Sequence, residues 1–83
     1  MESVNIKTVR LVLFNDTIHT DDEMDEMIWV ATGHDEIQCE QLRMMVRGKG
    51  SAVIKVGDID ELIPMYETLQ LEEFKVRIIH NED

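Results

Sequence analysis

The sequence is poor in cysteine, proline and aromatic residues. Its 83 residues include one cysteine, Cys39, one proline, Pro64, and only 5% aromatic residues. A single cysteine excludes an internal disulfide framework and a metal site built from several thiolates. No apolar run approaches the length of a membrane-spanning helix, and no signal peptide opens the chain. These absences predict a cytoplasmic protein.

Positive charge is also scarce. The chain has 8 Lys and Arg against 18 Asp and Glu, which gives a formal charge of -10. Nucleic acids and anionic membranes both attract cations, so this balance argues against either as a partner. The acidic surface is explained either by solubility or by a face that docks a protein partner.

Combinations of residues that carry chemistry are missing as well. His19, His34 and His80 have no second His or Cys at the spacing of a zinc site. The acidic run at 21–26 lacks the spacing of a calcium loop. The Gly-Lys-Gly-Ser segment at 48–51 follows a predicted helix, whereas a phosphate-binding loop follows a strand. No nucleophile, base and orienting group occur together, so the sequence predicts neither an enzyme nor a cofactor or metal site.

Local patterns predict where the first strand and helix begin and end. Alternating apolar residues predict a strand over about residues 6–14, which the Asn15-Asp16 pair ends by bonding to its own backbone. Thr20 and Glu23 form a capping box at the start of the first helix. Gly33 ends that helix.

Similar signals predict the remaining elements. Asp35 with Gln38 starts a second helix that Gly48 and Gly50 end, and Asp58 with Glu61 is a third capping pair. Pro64 lies inside the third helix and should remove one backbone hydrogen bond. Each predicted element has an apolar face. In the strands these faces are Val9, Leu11 and Leu13 in the first, Ile54 and Val56 in the second, and Val76 and Ile78 in the third. In the helices they are Met24, Met27, Ile28 and Ala31 in the first, Ile37, Cys39, Leu42, Met45 and Val46 in the second, and Ile59, Leu62, Ile63, Tyr66 and Leu69 in the third.

The resulting order is β-α-α-β-α-β, with half-buried strands and one-sided helices. This pattern favours an α+β fold in which helices cover one face of a three-stranded, at least partly antiparallel sheet. No linker, repeat or change in composition divides the chain, so residues 1–83 are expected to form a single domain.

Several stretches in this order resemble a known family. The strand Val12-Leu13-Phe14 followed by Asn15-Asp16 is similar to ClpS, the adaptor of the Clp AAA+ protease, whose fold is shared by the carboxyl-terminal domain of the ribosomal stalk protein. Arg47-Gly48-Lys49-Gly50 stands where the family has His-x-x-Gly, and the Ala-led strand follows at 52–54. The two patterns run without a gap from about residue 11 to 68.

The resemblance implies a binding role and the residues that serve it. Family members hold the free amino terminus of a substrate whose first side chain is large and apolar, and deliver it to the unfoldase. The family's Asn, Asp and His hold the α-ammonium group, and methionines line the apolar pocket. The corresponding ligand-binding positions in this sequence are Asn15, Asp16, Thr17, His19, Asp21, Arg43, Val46 and Arg47.

Three of these positions depart from the family in a way that matters physically. Arg47 replaces the family His and has only donors and a permanent positive charge, so it repels an ammonium group. Asp21 and Arg43 replace pocket methionines, which forfeits roughly 1.5–3 kcal/mol of burial energy for an apolar side chain. We therefore expect recognition of amino-terminal degradation signals to be altered or lost. Asp21 and Arg43 are expected either to pair across the former pocket or to remain solvated.

The resemblance also implies a partner. The family docks on the amino-terminal domain of the Clp unfoldase through a surface that includes an acid and a Lys on the third helix, where this sequence has Asp60 and Met65. Two roles follow: an adaptor or binding module with an altered peptide or protein ligand, or a small structural interaction domain without a peptide pocket. A site beside Asn15, Asp16 and Arg47 that is open to solvent favours the first, and a filled site favours the second.

Overall fold

The computed structural model describes residues 8–80. The strands are β1 (Thr8–Phe14), β2 (Ser51–Asp58) and β3 (Val76–His80). The helices are α1 (Asp21–Thr32), α2 (Glu36–Lys49) and α3 (Ile59–Leu71). The order is the predicted one, and the expected start of β1 at residue 6 lies outside the described residues. No helix within 8–80 is long and apolar enough to cross a membrane.

The three strands form one antiparallel sheet in the order β2-β1-β3. Along the central strand, Val9, Leu11 and Leu13 alternate toward the helices and are each at most 1% exposed. The α+β fold with helices packed on one sheet face is therefore confirmed. The helices and neighbouring strands complete a single core with Met24, Ile28, Cys39, Val46, Ala52, Ile54, Leu62, Leu69, Phe74 and Val76.

The first two helices begin at the predicted residues. The Thr20 hydroxyl accepts a hydrogen bond from the Glu23 amide at 3.1 Å, and the Glu23 carboxylate accepts one from the Thr20 amide at 2.8 Å. Asp35 caps α2 by accepting from the Gln38 amide at 2.7 Å. These contacts satisfy amides that have no partner inside a helix.

One predicted helix end and one predicted helix cap are wrong. Gly48 lies inside α2, and Gly50 alone takes the left-handed conformation that ends it, with φ of 95°. Asp58 precedes α3 but makes no side-chain capping bond. Asp58 is still paired with Thr8 at the end of β2, so the sheet rather than the helix sets its orientation.

The prediction that Val56 faces the core is also wrong. Leu11 pairs with Lys55 whereas Val12 pairs with Val53, so Ile54 is the extra residue of a β-bulge. An extra residue reverses the alternation of side chains along a strand. Ile54 is consequently buried, but Val56 is 52% exposed on the other face of the sheet.

Three residues expected on the apolar helix faces are exposed instead: Ile37, Met45 and Ile63. The buried stripe of α2 is narrow and consists of Cys39 and Val46, seven positions apart on one side of the helix. Ile37 lies two residues before Cys39 and is therefore about 200° around the helix axis from it. A helix that packs on one side only leaves such positions in solvent.

Candidate ligand-binding site

The loop between β1 and α1 is fixed at both its ends. The Asn15 amide donates to the Gly50 carbonyl at 2.9 Å, which ties the start of the loop to the end of α2. Asp16 Oδ1 accepts from the amides of Ile18 and His19 at 3.1 and 3.0 Å. This is the turn-forming role expected of an Asp that follows a strand.

The guanidinium group of Arg47 occupies the space that this loop encloses. Its Nη1 donates to Asn15 Oδ1 and to the Asp16 carbonyl, both at 2.8 Å, and its Nη2 donates to the His19 carbonyl at 2.6 Å. Its Nε donates to Asp21 Oδ1 at 3.0 Å. We call Asn15, Asp16, His19 and Asp21 the Arg47 cradle. The site is therefore filled by a side chain of α2.

A row of ion pairs between α1 and α2 extends from the cradle. Arg43 Nε donates to Asp25 Oδ1 at 2.9 Å, and Arg43 Nη2 donates to Asp25 Oδ2 at 3.3 Å. Arg43 Nη1 also lies 3.5 Å from Asp21 Oδ2, so the predicted Asp21–Arg43 pair is present. Asp25 nevertheless lies closer to Arg43 than Asp21 does, and Asp21 also binds Arg47. Two acids on α1 and two arginines on α2, each pair one helical turn apart, form this row.

His19 joins the cradle to the segment between α3 and β3. Its Nδ1 lies 2.7 Å from Asp16 Oδ2 and its Nε2 lies 2.9 Å from the Glu72 carbonyl oxygen. The imidazole stacks on Phe74 with a centroid separation of 3.7 Å and an interplanar angle of 10°. Both ring nitrogens face acceptors, and both can donate only when the ring is protonated. The geometry therefore fits the imidazolium form.

The electrostatics of the pair agree with this geometry. Burial alone would lower the pKa of His19, but the hydrogen bonds to the Asp16 carboxylate and the Glu72 carbonyl outweigh it and raise the pKa. Burial would raise the pKa of Asp16, but hydrogen bonds from the His19 ring and from the His19 and Ile18 amides lower it. Each group stabilises the charged form of the other.

Comparisons with known proteins place this chain in a family. The family model described as ATP-dependent Clp protease adaptor protein ClpS matches residues 5–80. The chain belongs to the ClpS family. A search of curated proteins finds no match. A solved structure of Agrobacterium tumefaciens ClpS2 bound to L-phenylalaninamide is similar in fold, with a TM-score of 0.84 and 17% sequence identity, over 93% of this chain and 100% of that one.

In this ClpS family member, not every position of the predicted ligand site lies at the cradle surface. Asn15, Asp16, His19, Asp21, Arg43 and Arg47 come together as described above. Thr17 is exposed in the loop, and Val46 is fully buried in the core. On α3, Asp60 is exposed, whereas Met65 is half-buried and packs against the core.

Several contributors to the site were missed from the sequence. Asp25 lies one helical turn after Asp21, and Arg47 lies one helical turn after Arg43. This matched spacing of acids on one helix and arginines on the next could have predicted the row of ion pairs. The stacking of Phe74 on His19 had no such signal, since 55 positions of chain separate the two residues. Within residues 8–80, no group of His, Cys, Asp and Glu is arranged to hold a metal ion.

Proposed function

We propose that the protein is a non-enzymatic cytoplasmic adaptor that docks on a Clp ATPase and has lost the family mode of holding free amino termini. The observation that carries this proposal is the Arg47 guanidinium bound to Asn15 Oδ1 and to the carbonyls of Asp16 and His19. By the family resemblance, Asn15 and Asp16 belong to the group of residues that would receive a substrate's α-ammonium. A cation of the chain itself occupies those acceptors.

Competition by a substrate at this site is unfavourable. An incoming ammonium group would have to displace a guanidinium that makes four hydrogen bonds in the cradle. Arg47 stays positively charged at any physiological pH, so an ammonium that entered beside it would meet a like charge. An apolar first side chain would in addition desolvate Asp21, Asp25 and Arg43, which costs free energy that an apolar pocket does not require.

Titration calorimetry with L-phenylalaninamide tests the loss of recognition. We expect no measurable heat of binding for the parent chain. Asp21→Met with Arg43→Met should remain poor, because Arg47 still fills the cradle. The triple variant that adds Arg47→His should bind better, and acetylating the amino group should abolish that binding. Micromolar binding by the parent that is lost on acetylation would contradict the proposal.

Docking on the ATPase is supported by family membership and by the exposed carboxylate of Asp60 on α3. We expect an immobilised amino-terminal domain of a Clp ATPase to retain the parent chain. Asp60→Lys should weaken retention, because it reverses a charge at the family docking position. Glu67→Lys, with the same change in charge at another exposed position of α3, serves as the control. Equal retention of parent, Asp60→Lys and Glu67→Lys would argue against docking through α3.

A structural interaction domain without a peptide pocket is the second candidate, and the filled cradle favours it. The two roles differ in their partner, because only the adaptor requires a Clp ATPase. A parent chain that fails to bind Clp amino-terminal domains at all would favour the structural role.

A further inference from the structure

The sheet face opposite the helices has a composition unlike the rest of the chain. The strand register places Arg10 between Val56 and Ile79, and Val12 between Val53 and Arg77. We call these six residues the outer sheet face. Val53, Val56 and Ile79 are 37%, 52% and 36% exposed. Aliphatic and cationic side chains therefore alternate across a face that no helix covers.

Among the described residues, the cations of this face have no acidic partners. Arg43 and Arg47, on the helix side, are held by Asp21, Asp25 and Glu40. Within residues 8–80, Arg10 and Arg77 make no ion pair. In a chain of net charge -10, these two cations lie together on one surface. That surface is electrostatically complementary to an acidic partner.

A hollow of about 640 Å³ continues the outer sheet face beyond Arg77. Its lining residues are Phe14, Asn15, Gly50, Gln70, Phe74, Lys75, Val76 and Arg77. Lys75 has no ion-pair partner among the described residues either. The hollow thus adds a concave end, with a third cation and an aromatic side chain, to the mixed aliphatic and cationic face.

We propose that the outer sheet face and its hollow bind an acidic protein segment in which carboxylates alternate with aliphatic side chains. The carboxylates pair with Arg10, Lys75 and Arg77, and the aliphatic side chains cover Val53, Val56 and Ile79. That this segment belongs to cargo rests on the proposed adaptor function: with the cradle filled by Arg47, an adaptor needs another surface for its cargo.

A peptide segment fits this surface better than a nucleic acid does. A polyanion extends past the three cations and meets the acidic remainder of the chain, whereas a short segment is confined to the face. The valines and isoleucine offer aliphatic contact rather than the aromatic stacking that single-stranded nucleic acids use. A second copy of the chain would bring the same cations against each other if the two faces met.

Fluorescence anisotropy tests the proposal with labelled peptides that have acetylated amino termini. One peptide alternates Glu with Val and Leu, and its partner has Lys in place of Glu. We expect the parent chain to bind the Glu peptide and not the Lys peptide. Arg10→Glu with Arg77→Glu should bind the Glu peptide roughly tenfold more weakly or worse, because like charges then face each other. Lys49→Glu with Lys55→Glu makes the same change in net charge elsewhere and should bind as the parent does.

Circular dichroism of each double variant confirms that it is folded, and Arg10→Gln with Arg77→Gln provides a milder version of the change. No binding of the Glu peptide by the parent, or equal loss in both double variants, would overturn the proposal. Displacement of the peptide by single-stranded DNA that binds more tightly would assign the face to nucleic acid instead. Peptide binding without retention on a Clp domain would refute the adaptor function alone, and retention without peptide binding would refute this inference alone.

Discussion

Arg47 shows how one side chain can change the chemistry of a site without changing the fold. The acceptors around it are an amide oxygen, two backbone carbonyls and a carboxylate, which would suit any compact cation. The planar guanidinium satisfies several of them at once, which a single ammonium group cannot do with the same geometry. A cation of the chain itself thus occupies the acceptors that could otherwise receive a cationic ligand.

His19 gives the loop a dependence on pH whose sign follows from its pKa. The pKa of His19 is raised above its ordinary value of 6.5 in the folded chain. Its contribution to stability is therefore fully present below about pH 6.5 and is lost as the pH rises through the folded pKa. The lowered pKa of Asp16 has the opposite effect and reduces stability only as the pH falls below about 4.

We expect the free energy of unfolding in urea to decrease by about 0.5–1.5 kcal/mol from pH 6 toward pH 9, because one hydrogen bond of the ring is lost on deprotonation. His19→Gln should remove most of this decrease. His80→Gln, which changes an exposed histidine at the end of β3, is the matched control and should leave the decrease unchanged. A pH profile of His19→Gln identical to that of the parent would show that another group titrates.

At the scale of elements, the capping residue at the start of a helix contributes to the stability of the fold. Thr20→Ala removes the acceptor for the Glu23 amide and should destabilise the protein by about 0.5–2 kcal/mol. Thr17→Ala, in the exposed part of the same loop, controls for loss of a threonine and should have little effect. The measurement is the free energy of unfolding from urea titrations of both variants. Equal stability of the Thr20 and Thr17 variants would mean that the cap contributes nothing.

The elements also show which parts of the fold can be predicted from sequence. Helix starts at Thr20 and Asp35 were predictable because a cap is formed by residues three apart in the chain. The bulge at Ile54 was not, because it depends on how β2 aligns with β1, some 40 positions away. The same distinction applies to the site: Asp16 forms its turn locally, whereas the carbonyls that receive Arg47 are brought to it only by the packing of α2.

Over the whole molecule, the two sides of the sheet carry different sets of residues. The helix side holds the core, the cradle and the arginines that are paired with acids. The other side carries Arg10 and Arg77, which make no ion pair within residues 8–80, among the exposed side chains of Val53, Val56 and Ile79. A sheet covered on one face only has to leave its second face in solvent or give it to a partner. The proposed adaptor would therefore present the α3 docking position and the outer sheet face as separate surfaces.

The core that supports both surfaces converges on the central strand. Leu13 is fully buried, pairs with Ala52 on one side and Val76 on the other, and lies directly before the loop that holds Arg47. Leu13→Ala should cost about 2–5 kcal/mol, because it removes buried methyl groups and leaves a cavity. A domain of this size has only about 5–15 kcal/mol of stability to lose.

Ile37→Ala provides the comparison, because Ile37 is an aliphatic residue on α2 that is 68% exposed. Its loss should change stability by no more than about 0.5 kcal/mol. Urea unfolding of the two variants, followed by far-ultraviolet circular dichroism, should give a much lower midpoint for Leu13→Ala and a midpoint near that of the parent for Ile37→Ala. Coinciding midpoints for Leu13→Ala and the parent would mean that β1 does not form the centre of the core. The sheet register on which the outer sheet face depends would then be wrong.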